Sequence, residues 1–141
     1  MRAPKWLSPA MVLAIHDEAV YYFGGSPGVS DLGLLESALD RLRNRRAYGP
    51  ATDQFVLAAS LCVGIAKNHP FVGANKPTAL LATRAFLFLN NQRLEPQEAD
   101  EVVTMEALAA GELNEAQMAD WLRSYSTPIR KTTRSTRPPR C

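Results

Sequence analysis

Apolar residues recur along this chain with the spacing of helix faces, and no segment shows the strict alternation of a half-buried strand. Ser8-Pro9 reads as a helix start, with serine as N-cap and proline in the first turn, where its missing N–H costs nothing. From Pro9 to Phe23 the positions Val12, Ile15, Ala19 and Tyr22 share a face, and Gly24-Gly25 ends the helix. GSPGV follows as a rigid, turn-rich loop. Ser30 or Asp31 then caps a second helix striped by Leu35, Leu39 and Leu42. Its end carries Arg41, Arg43, Arg45 and Arg46, which suit the negative pole of a helix dipole and read as a solvated terminus.

Asp53 is the expected cap of a third helix running to about Asn68. Val56, Leu57, Ala59, Leu61, Cys62, Val63, Ile65 and Ala66 make it apolar nearly all round, the pattern of a helix buried at the centre of a bundle. Its small residues Ala58, Ala59, Ser60, Gly64 and Ala66 permit close packing. A fourth apolar helix spans Thr78 to Asn90. Pro96 opens a fifth and Gly111 closes it, and Asn114 caps a sixth that carries Met118, Trp121, Leu122 and Tyr125. The predicted fold is all-α: a compact helical bundle of about six helices in one domain, residues 1–126.

Charge divides the chain. The net charge is +2, but Arg130, Lys131, Arg134, Arg137 and Arg140 lie in the last fifteen residues with no acid among them. The body is therefore mildly acidic. Thr127–Cys141 reads as a disordered basic tail with almost nothing to bury, and a nucleic-acid partner is not expected of an acidic body. The N-terminus has no apolar run of signal-peptide length, and no stretch reaches the roughly 18 apolar residues of a membrane span. Cys62 falls inside an apolar helix and Cys141 is the last residue, so reduced thiols and a cytoplasmic location are expected. Two thiols and two histidines, widely scattered, make no zinc site.

One place invites chemistry. Between the two central helices runs HPFVGANKPTA, His69–Ala79. A helix entering at Asn75 presents unpaired N–H groups and its positive dipole end, and the small side chains of Gly73 and Ala74 let a ligand approach the backbone. That combination suits a phosphate. Lys76 can add charge, Asn75 a hydrogen bond, and His69 a general base near neutral pH. By residue type alone, a lone histidine before a proline is more often a capping or core residue than a catalytic base.

NHPFVGANKPTALLATRAFLFLNN closely resembles the signature of the Fic/Doc family, whose Doc branch reads roughly H-x-F-x-D-A-N-K-R-T-A before an apolar helix. His69, Phe71, Ala74, Asn75, Lys76, Thr78 and Ala79 stand where that pattern wants them. The likeness extends upstream through the GG-SPG loop and covers about residues 6–125. It implies a Doc-like toxin that transfers the terminal phosphate of ATP, or another nucleoside triphosphate, to a protein hydroxyl, with elongation factor Tu as the kind of target. Transfer of AMP by a Fic-type enzyme, or a degenerate binding module, are the alternatives. The resemblance makes His69 the catalytic base and assigns phosphate to Gly73, Ala74, Asn75 and Lys76. Phe71 becomes the structural anchor of the loop, and an antitoxin segment the occupant of a groove beside the site.

Two positions depart from the family. Gly73 stands where an acid helps hold Mg²⁺, so no metal-binding residue is assigned. Pro77 stands where an arginine clamps phosphate oxygens. Elsewhere, His16-Asp17 reads as a surface pair, because adjacent helical residues point about 100° apart. Trp6, Trp121, Tyr21 and Tyr22 read as core or edge aromatics, and Cys62 as a buried, inert thiol.

Overall fold

The computed structural model describes residues 3–49 and 52–129. Among the described residues six helices form: α1 Pro9–Phe23, α2 Leu32–Tyr48, α3 Gln54–Asn68, α4 Asn75–Leu89, α5 Glu98–Ala109 and α6 Glu115–Ser124. Their starts follow the capping chemistry of the sequence. Ser8, Asp31, Asp53 and Asn114 each accept a hydrogen bond from the backbone N–H three residues on. α3 is the axis, packed against α2, α4, α5 and α6. Leu57, Ala58, Ala59, Leu61, Cys62, Ile65 and Ala66 are fully buried along it. At Gly64 an added Cβ would meet the Ala38 Cβ at 3.0 Å, so the bare glycine sets how near α2 comes. Burial also pushes the Cys62 thiol up to about 12, which keeps it protonated and unreactive.

Two short strands complete the fold, β1 Gln92–Leu94 and β2 Ser126–Pro128, paired antiparallel. Three residues are too few to show a period of two, so no alternation announced them. Asn91, at φ 69°, turns the chain out of α4 into β1 and accepts a hydrogen bond from the Ile129 N–H at 2.9 Å. The start of the expected tail, Thr127 to Ile129, is thus tied to the body, and its basic residues from 130 on lie outside the described residues.

Three surface assignments change. The buried stripe of α1 is Val12, His16 and Ala19. It includes a histidine placed at the surface by sequence and leaves Tyr21 and Tyr22 exposed at 80% and 69%. A residue-type count cannot rank a histidine above a tyrosine for burial; the partner beneath each decides. The arginine-rich end of α2 is more than a solvated terminus, since Arg41 and Arg45 both reach Glu115 of α6, at 3.0 and 2.9 Å. Trp6 and Trp121 are half-buried at the edge of the core, as their amphipathic rings suggest. No helix among the described residues is long and apolar enough to cross a membrane.

Candidate phosphate site at the start of α4

Proline at 70 disfavours α geometry for the residue before it, so α3 cannot run on. His69 adopts a left-handed conformation, φ 54° and ψ 61°, and its N–H donates to the Ile65 carbonyl as the helix cap. Its ring is exposed and has no partner among the described residues. An exposed imidazole without a partner among the described residues has both ring nitrogens accessible to an incoming group.

The next residues are pinned from three sides. The N–H groups of Ser30 and Asp31 both donate to the Pro70 carbonyl, at 2.8 and 3.0 Å, and the Val72 N–H donates to Gly28 at 3.0 Å. Asn75, 8% exposed, reaches back to Phe71: its amide Nδ2 donates to the Phe71 carbonyl at 2.9 Å, and its Oδ1 accepts from the Phe71 N–H at 3.1 Å. Both ends of the Asn75 side chain are thereby engaged in closing the loop. Phe71 is 1% exposed, and its ring stacks on His16 with centroids 3.9 Å apart and planes 7° from parallel. His16 also bonds the Gly73 carbonyl through Nε2 at 2.9 Å.

Ala74 then takes φ 57° and ψ 33°, and α4 begins at Asn75 with no side-chain cap. The backbone N–H groups of Gly73, Ala74, Asn75 and Lys76 donate to nothing among the described residues. Four consecutive open donors at a helix start, one from a left-handed residue, form the concave nest that suits an oxyanion. Pro77 costs the helix nothing, because the first turn is closed by the Thr78 N–H donating to Ala74 at 3.1 Å and the donor that proline lacks would have no helical partner; what it removes is one open amide next to the nest.

The loop Gly24–Gly28 packs onto this nest. A Cβ on Gly25, which sits at φ +104°, would lie 3.2 Å from the Ala74 nitrogen. The absent side chain keeps that donor open. A Cβ on Gly73 would lie 2.6 Å from the Ser26 nitrogen and 3.1 Å from the Ser26 oxygen. The direction an acid would take from position 73 is occupied by backbone. A Mg²⁺ ion held through this position therefore does not fit the residues present. Among the described residues, no three His, Cys, Asp or Glu side chains gather as a metal site.

Lys76 points away along α4 to Glu106 of α5, Nζ to Oε2 2.8 Å, with both side chains largely exposed. Such a pair is worth about 0–1 kcal/mol and gives way readily to a more highly charged anion. Beside it, α4, α5 and the end of α1 enclose a cleft of about 280 Å³ lined by Phe23, Pro77, Leu80, Leu81, Val102 and Met105. An Arg84–Glu101 ion pair also lines it.

The Fic/DOC family model matches residues 6–87, which include α1, the Gly24–Gly28 loop and the whole nest. The chain belongs to the Fic/DOC family. It is 37% identical over 120 residues to the protein kinase Doc of Escherichia phage P1, covering 84% of this chain and 94% of that one. It is 38% identical over 76 residues to the toxin Doc of Mycolicibacterium smegmatis, covering 51% and 56%.

The structure brings His69, Phe71 and Gly73–Lys76 into one loop, and it adds three participants that spacing along the chain did not reveal: His16, Gly25 and Ser26. Each lies more than forty residues from the motif. Nothing in a single sequence signals such a contact, although the glycine pair at 24–25 marks where a backbone comes close.

Proposed function

We propose that this protein is a Doc-like phosphotransferase toxin that moves the terminal phosphate of a nucleoside triphosphate, ATP in the simplest case, to a hydroxyl of a protein substrate. The observation that carries this reading is the row of four open amides at the start of α4, directly after an exposed, unpaired His69. The relative named as a protein kinase matches over 84% of this chain and supports the same reaction class. In this reading the amides of Gly73–Lys76 hold phosphate oxygens, and Lys76 exchanges Glu106 for the nucleotide. Asn75 and Phe71 keep the loop in shape. His69 takes the proton from the acceptor hydroxyl as that oxygen attacks the terminal phosphorus, and the bond from phosphorus to the diphosphate breaks as the new one forms. A target in the translation machinery, of the elongation factor Tu type, agrees with the toxin reading. The cleft beside Lys76, apolar with paired charges along its wall, is the place for an antitoxin segment.

A second reading, a binding module without turnover, is favoured by Gly73 and Pro77, which remove a carboxylate and a guanidinium from the site. Full-length protein incubated with γ-labelled ATP and elongation factor Tu separates the two. Label on the target that disappears with His69→Ala supports the kinase. ATP binding without transfer supports the module, and label only from α-labelled ATP means AMP transfer.

A further inference from the structure

We infer that His16 is a positioning residue, latching the Gly73–Ala74 peptide in the orientation that an incoming phosphate requires. This rests on reading the open amides as a phosphate nest. A carbonyl oxygen can only accept, so Nε2 of His16 carries the proton and donates it to Gly73 across 2.9 Å. No peptide bond here is cis. In a planar trans peptide the C=O and the following N–H point in opposite directions. Drawing the Gly73 carbonyl in toward His16 therefore turns the Ala74 N–H outward, to the side that Gly25 leaves bare.

The latch is needed because the other pins stop short of this peptide. Backbone bonds from the 28–31 segment hold Pro70 and Val72, and Asn75 holds Phe71. Among the described residues only His16 bonds the Gly73 carbonyl. Glycine is also the residue whose flanking peptides rotate most freely. A flipped peptide would present a carbonyl to the nest, an acceptor facing an anion. The stack on Phe71, at 3.9 Å and 7°, fixes the plane of the imidazole, and burial to 2% exposure keeps water from competing for Nε2. One ring thus links the buried anchor of the loop to its most pliable peptide.

Two full-length variants test the assignment. His16→Phe keeps an aromatic disc against Phe71 and removes the donor. His16→Gln removes the ring and returns an amide N–H at similar reach. The readouts are the ¹H–¹⁵N signals of Gly73–Lys76, ATP affinity by calorimetry, and the melting temperature. The expected result for His16→Phe is exchange-broadened or displaced Gly73–Asn75 signals and an ATP affinity lower by roughly tenfold, the scale of one hydrogen bond. His16→Gln should recover the affinity to within about threefold while melting no higher than His16→Phe, a split that simple core filling cannot produce. Unchanged loop signals in His16→Phe, or affinity that follows melting temperature through both variants, would overturn the latch. A parent protein that binds no ATP would sink the phosphate reading instead, and the loop signals would still judge His16.

Discussion

Gly73→Ala adds one methyl group where the sequence resemblance expects a whole carboxylate, and the structure fixes what that methyl meets. Its carbon would stand 2.6 Å from the Ser26 nitrogen, 3.1 Å from the Ser26 oxygen and 3.3 Å from the Ser26 Cα. Gly73 is not among the residues at positive φ, so alanine suffers no dihedral penalty and the contact acts alone. To reach ordinary carbon contact the Ser26 backbone must retreat by roughly 0.9 Å. It cannot do so by itself, because Gly25 next to it lies so near Ala74 that an added Cβ would stand 3.2 Å from the Ala74 nitrogen, and Gly28 accepts from Val72. Overpacking a fixed backbone costs about 1–3 kcal/mol. For a chain of this size each kcal/mol lowers the melting temperature by about 2–4 °C, so a drop of about 2–12 °C is expected.

Scanning calorimetry of the parent and Gly73→Ala measures it. Gly73→Asp should lose at least as much, since it carries the same Cβ. Replacing the Ser26 side chain should rescue neither variant, because the obstruction is backbone. An alanine variant that melts within one degree of the parent, with unchanged amide signals from Gly25 to Gly28, would refute the reasoning. It would mean that the Gly24–Gly28 loop yields freely and that an acid could be seated at 73 after all.

Two further outcomes follow from the frame around the site. Burial opposes ionisation of Asp53, but the Val56 amide and the Arg123 guanidinium outweigh it and hold the carboxyl below its ordinary value of 3.8. A depressed folded-state value stabilises the fold above that ordinary value and loses the contribution as pH falls through the folded one. The melting-temperature gap between the parent and Asp53→Asn, which keeps a capping oxygen, should therefore narrow below about pH 4, and Asp53→Ala should cost about 1–2 kcal/mol at neutral pH. A chain ending at Tyr125 loses β2 and the Ile129–Asn91 bond, and should melt about 2–8 °C below one ending at Ile129, from roughly 1–2 kcal/mol of hydrogen bonds; equal melting would mean that β2 adds nothing.

Helix positions were legible because their signals are local. A serine before a proline, an aspartate three residues ahead of its amide partner, and an apolar run with small residues each carry their reason within one turn of chain. The loop was legible for the same cause: His69 to Lys76 is a continuous segment whose N-terminal helix donors follow from where α4 starts. What escaped was every feature made by chain returning from elsewhere. The β1–β2 pair joins segments more than thirty residues apart, and Glu106 meets Lys76 only because α5 packs beside α4. His16 reads as a surface residue when taken only as a pair with Asp17, since adjacent helical residues point about 100° apart. Its burial depends on Phe71, which no periodicity of α1 can report.

Those non-local contacts also bear on what Gly73 and Pro77 mean. Read from the motif alone, both are losses, a missing acid and a missing arginine. In the folded chain neither leaves a defect. The space beside Gly73 is filled by Ser26, and Pro77 sits in the one helical turn that spares an N–H. The amides that would hold phosphate are all still open, and the cation beside them is tied only by an exposed pair. The substitutions thus remove charge from the site while keeping its backbone geometry. A nest with fewer charges should bind a triphosphate less tightly and depend less on a divalent cation, and its selectivity should rest more on the shape held by Phe71, Asn75 and His16 than on ion pairing. Ionic strength separates the two sources of affinity: screening weakens charge pairing at exposed sites and leaves short amide–phosphate bonds comparatively intact. ATP binding that changes little between low and moderate salt is the behaviour expected of such a nest, and a steep loss with salt would return the leading role to Lys76.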